Sequence, residues 1–122
     1  MAAGINLDKA VNDLLKEFSV DVSKVAEEAI TNVSREAVKK LKQTSPGKGR
    51  YAKGWTRKVE KTAATVDAVI YGKYGTYQLA HLLEHGHAKR GGGRVAGIVH
   101  IKPVEEWAIA EVETRIREKV GR

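Results

Sequence analysis

The chain contains no cysteine, so it has neither a disulfide framework nor a thiolate metal site. No apolar run approaches the roughly 20 residues that a membrane-spanning helix needs. Met1 to Leu7 lacks the basic and apolar blocks of a secretory signal. The expected place of action is therefore the cytoplasm, or a particle assembled there. Proline is scarce, with only two residues, and each sits where an element should end or begin. The four serines, Ser19, Ser23, Ser34 and Ser45, fall in a helix-like segment or a loop, and none lies on a nucleophile elbow. A paired-carboxylate signature is missing, as is a Gly-Lys-Ser/Thr phosphate loop. Hydrolytic and nucleotide chemistry have no residues to carry them, and no enzyme is expected.

What is present suits one soluble domain of 122 residues, 42% hydrophobic and 30% charged. The formal net charge is +7, and its placement is uneven. Residues 1–38 hold 4 basic and 7 acidic side chains, whereas residues 39–61 hold 9 basic and 1 acidic. A second basic surplus lies between residues 85 and 102. Two basic segments of loop-like composition can meet phosphates or an acidic protein surface, or simply keep the chain soluble.

The N-terminal segment is helical by its spacing. Val11, Leu14, Leu15, Phe18, Val22, Val25, Ala26, Ala29, Val33, Ala37, Val38 and Leu41 recur in steps of three and four. A long helix over 7–43 is expected, about 50 Å if continuous, with a weak point at Ser19-Val20-Asp21-Val22. Such a helix outgrows a small domain, so part of it should stay polar or meet a partner chain. Thr44 to Arg50 then breaks the pattern with Pro46, Gly47 and Gly49.

Trp55–Lys61 and the alternation of Val66, Ala68 and Ile70 predict two strands joined near Ala63-Ala64. Gly75–Glu84 reads as a short helix stopped by Gly86. Residues 87–97 read as a flexible basic loop, and Ile98–Ile101 as a strand. Pro103 fits the first position of a last helix with a stripe of Val104, Trp107, Ala108, Val112, Ile116 and Val120. The fold class is α+β: a long N-terminal helix, a small mostly antiparallel sheet built on a hairpin, a short middle helix and a C-terminal helix.

All four histidines fall between Gln78 and Pro103. His81 and His85 share a helix face, and His87, His100 and Glu84 could complete a zinc shell. The spacing departs from the protease motif, because Leu82 follows His81 where that motif needs Glu. No metal or other cofactor is expected. Nucleic acid is an alternative: Lys48, Arg50, Lys53, Arg57, Lys58, Lys89, Arg90 and Arg94 offer phosphate contacts. Tyr51 and Trp55 lie among the first five and could stack on bases, although Trp55 reads more simply as a core strand residue.

The order of these pieces resembles the HK97 gp10-like family of tailed-phage proteins. The matching residues are Pro46, Gly49 and Arg50, then Tyr77, Leu83, Glu84, His85 and Gly86, then His100, Ile101 and Pro103. The resemblance runs from about Leu7 to Val120. It implies a structural virion protein at the head–tail junction or tail end, assembled in the host cytoplasm. The implied partners are copies of itself in a ring, connector or neck proteins and tail-tube proteins, with non-specific DNA contact and no membrane. It also implies that Leu83, Glu84, His85 and Gly86 form a Leu-Glu-aromatic-Gly corner, with His85 in place of the aromatic ring, packed or lining an interface. The glycine-rich loop would then project toward neighbouring subunits.

Overall fold

The computed structural model describes residues 4–17, 23–47, 49–62, 66–73 and 77–120. The N-terminal helical segment comprises α1 (Asp8–Glu17) and α2 (Ser23–Thr44). The weak point expected at Ser19–Val22 lies outside the described residues. Helix α1 packs against α2, so the two are not one straight rod, in which residues across such a gap would stand too far apart. Ahead of α1 is a two-residue strand, β1 (Ile5–Asn6), absent from the sequence reading.

After α2 comes a single helical turn, α3 (Arg50–Lys53), followed by β2 (Trp55–Lys61) and β3 (Val66–Gly72). These strands pair antiparallel with Trp55 opposite Gly72 and Lys61 opposite Val66. Residues 63–65, the expected join, lie outside the described residues. Strand β1 adds to the other edge of β3, with Ile5 opposite Ile70, giving the order β1-β3-β2. Then follow α4 (Tyr77–His85), β4 (His87–Ala88), β5 (Arg94–Val95) and α5 (Ile101–Val120).

Strand alternation sorts the sheet into two faces. Val66, Ala68 and Ile70 point inward and are buried, while Asp67, Val69 and Tyr71 are only partly covered. Helix α2 packs on the sheet and on α5, and α1 packs on α5 and β3. The core contains Ile5, Leu7 and Val11 from the N-terminus and Ala26, Ile30, Val33, Ala37 and Leu41 from α2. Helix α5 adds Val104, Ala108, Val112 and Ile116, a stripe of strict four-residue steps. Burying each large aliphatic side chain stabilises the fold by about 1.5–3 kcal/mol. Arg115 fastens α5 to α2 from the side. It donates two hydrogen bonds to Glu36, at 2.8 and 3.2 Å, and one to Glu111 at 3.0 Å. That fork holds the Glu36 carboxyl below its ordinary range.

Three sequence expectations need correction. Trp107 is half-buried, with the Lys40 ammonium 4.5 Å from its ring centre, so it is not a core anchor of the α5 stripe. Ile98–Ile101 forms no strand: residues 96–100 are irregular and Ile101 already starts α5. Within the expected loop 87–97, β4 and β5 form a short antiparallel ladder, His87 opposite Val95 and Ala88 opposite Arg94.

Candidate functional site

Helix α4 ends at Gly86, whose φ of 78° lies in the left-handed region that favours glycine. Packing demands glycine here too, because a Cβ would strike the backbone of Val95 and Gly97. The chain then leaves as the β4–β5 hairpin and returns beside α4, where the Ile98 amide donates to the Leu83 carbonyl at 2.6 Å.

That return sets up the α5 N-terminus. The first amides of a helix have no intrahelical partners and need an acceptor from elsewhere. Glu84 supplies it from α4. One carboxylate oxygen accepts from the amides of His100 at 2.7 Å and Ile101 at 2.8 Å; the other accepts from Lys102 at 3.0 Å. The next residue, Pro103, has no amide hydrogen to satisfy. It stands at the third helical position, not the first. Burial alone would raise the Glu84 carboxyl, but the three amides and His100 outweigh it and hold the group below its ordinary range.

His100 extends the network inward. Its Nδ1 faces two acceptors, the Ile98 carbonyl at 2.7 Å and Glu84 at 3.0 Å. Nδ1 therefore carries a proton, and in the neutral ring Nε2 is left to accept from the Tyr51 hydroxyl at 2.5 Å. Burial, then the Glu84 charge, pushes the Tyr51 hydroxyl well above the usual phenol range, so it remains a donor. The Tyr51 ring meets Trp55 edge-on at 5.7 Å. Trp55 donates to the Ser45 hydroxyl at 2.8 Å, which in turn donates to the Leu41 carbonyl at 2.5 Å. A Tyr–His–Glu chain has the composition of acid–base machinery. Here Tyr51 and His100 are 7% and 3% exposed, so a substrate has no approach to either. The network joins α2, α3, β2, α4 and α5.

The histidines do not converge. His81 and His85 sit together on the exposed side of α4, ring centres 4.9 Å apart, and His87 is exposed on β4. His100 is buried and bonded to Tyr51. Among the described residues, no group of three or more His, Cys, Asp or Glu side chains could hold a metal ion.

The basic residues are also dispersed. Lys89, Arg90 and Arg94 are exposed on the hairpin, where Arg94 donates to the His85 carbonyl at 3.2 Å. Arg50 and Lys53 are exposed on α3. Arg57 and Lys58 alternate along β2 and so point to opposite faces, with Lys58 paired to Glu60 at 2.7 Å. Lys48 lies outside the described residues. The segment expected to be a basic loop is thus largely the end of α2, α3 and β2. Tyr51 and Trp55 are buried and cannot stack on bases, which removes the aromatic half of the nucleic-acid reading. Of the expected corner, Leu83 is half-buried, Glu84 and Gly86 are buried, and His85 points outward.

The sequence reading missed the capping role of Glu84 and the Ser45–Trp55 bond. Glu84 and Pro103 are the two residues that hint at the cap, but the amides that Glu84 accepts from, those of His100, Ile101 and Lys102, lie 16 to 18 positions away.

The architecture is that of a small α+β scaffold with its polar network sealed inside and a basic hairpin outside. The family described as "Bacteriophage HK97-gp10, putative tail-component" matches residues 7–86, about two thirds of the chain, and the protein belongs to this HK97 gp10-like family. The match stops at Gly86, so the hairpin and α5 lie beyond it, short of the expected reach to Val120. Neither the curated proteins nor the solved structures gave a match. Among the described residues, no helix is long and apolar enough to cross a membrane.

Proposed function

We propose that this phage tail-component family member is a tail-completion or head–tail joining subunit. It acts by self-association into a ring and by docking to connector and tail-tube proteins. One observation carries the reading beyond the family. Six large hydrophobic side chains are exposed among the described residues, and five lie between Leu79 and Val99. They are Leu79 and Leu82 on α4, and Val95, Ile98 and Val99 on the return from the hairpin. This concentration of exposed large apolar side chains in one segment supports a surface there that another protein covers.

The test is electron microscopy of lysates from the parent phage or prophage with this gene deleted. Filled heads beside separate tails are expected, and aberrantly long tails would narrow the role to tail termination. Intact, infectious particles would refute the reading.

Deleting residues 89–94 should leave the fold in place and impair particle assembly. The side chains of residues 89–94 are exposed and none is large and apolar, so the deletion empties no core site and costs the Arg94 bond to the His85 carbonyl and the Arg94–Ala88 end of the short ladder. Circular dichroism melting and a plaque assay check the two halves. A large loss of melting temperature would count against a purely external role for the tip.

A further inference from the structure

The hairpin tip has a chemical counterpart on the same chain. On the outward face of the sheet, a groove of about 330 Å³ is lined by Asn6, Asp8, Lys58, Glu60, Asp67, Val69 and Tyr71. Its charge is acidic: three carboxylates face one lysine, and that lysine is already paired with Glu60. One Asp67 oxygen is buried with no hydrogen-bond partner. A buried carboxylate oxygen without a donor is costly and leaves the charge of the groove uncompensated, which a cation seated in the groove would offset electrostatically. Burial, followed by the nearby Asp8 and Glu60, raises the Asp67 carboxyl above its ordinary range.

Lys89 and Arg90 supply that charge. Both are fully displayed at the tip of the hairpin, on a turn with Gly92 and Gly93 at positive φ. The hairpin and the acidic groove share no residue, so a copy can offer one to a neighbour while using the other. Such a contact is head-to-tail, the kind that closes into rings. Val69 and Tyr71 give the groove an apolar floor against which the stems of Lys89 and Arg90 can lie.

We propose that the basic tip of the β4–β5 hairpin of one copy docks in the acidic groove on the open sheet face of the next copy. This rests on the self-association reading above and names the surfaces that carry it.

The experiment is sedimentation velocity of the full chain over a range of concentration and salt, on wild type, Arg90→Glu, Asp67→Lys and the double variant. Glu60→Lys with Lys89→Glu forms a second pair, at positions exposed enough to leave the fold undisturbed. Wild type is expected to self-associate, more weakly at high salt. Each single variant should weaken association at least tenfold, and each double variant should recover most of the loss. Melting curves matching wild type confirm that the variants fold. Singles that associate like wild type would overturn this interface and leave self-association standing. A wild-type monomer at every concentration would bring down both. Duplex DNA binding abolished by Arg90→Glu with association untouched would reassign the tip to nucleic acid and also overturn the proposal.

Discussion

Replacing Glu84 with alanine is expected to destabilise the protein by about 3 kcal/mol, from the loss of a helix cap and the stranding of buried donors. The amides of His100, Ile101 and Lys102 lose their acceptor together, and His100 loses one of the three groups that orient its ring. Glu84→Gln should fall between wild type and alanine, because the amide keeps one oxygen but gives up the charge. The effect depends on pH with a definite sign. The Glu84 carboxyl lies below its ordinary value of 4.5 in the folded state. Its contribution is therefore fully present above that value and is lost as pH falls through the depressed folded one. Urea unfolding at neutral pH and near pH 3 checks this: the gap between wild type and Glu84→Gln should be wide at the first and narrow at the second. A gap independent of pH would mean that shape, not charge, does the capping.

Trp55→Ala should cost about 3–5 kcal/mol, the range for emptying a large aromatic site in a core. Trp55 is 2% exposed and the largest fully buried side chain. The change leaves a cavity and also strips the Ser45 hydroxyl of its donor. Trp55→Phe separates the two effects, since the bond alone is worth about 1 kcal/mol. Far-ultraviolet circular dichroism in denaturant is the appropriate measurement, because Trp107 would confuse fluorescence. The same substitution at Trp107 should cost much less, as that ring is half-buried under Lys40.

Elements written in local periodicity were legible before the structure. The α5 stripe of Val104, Ala108, Val112 and Ile116 and the β2–β3 hairpin follow from steps of four and of two. Elements that exist only through distant partners were not. Strand β1 is two residues long and owes its existence to Ile70 and Val69, more than 60 positions away. The run Ile98-Val99 has β-branched residues that read as a strand, yet the ladder in that region is formed by β4 and β5, just before it in the chain. Ile98 instead bonds to Leu83, and Glu84 then turns the chain into α5. A carboxylate that caps a helix 16 to 18 positions later leaves no mark in a window of ten residues. The histidines failed as a site for a related reason. Spacing placed His81 and His85 together, as found, but could not reveal that His100 was taken by Tyr51.

The clamp at the α4–α5 corner makes the hairpin an interchangeable part. The chain is pinned on both sides of it: at Gly86 against Gly97, at Leu83 against Ile98, and at Glu84 against the first turn of α5. Everything between Gly86 and Gly97 hangs from that clasp, and no core side chain comes from it. A tip of another length, charge or sequence can be spliced between these two glycines while both helices keep their places. One scaffold can thereby be refitted to a different neighbour without redesigning its interior.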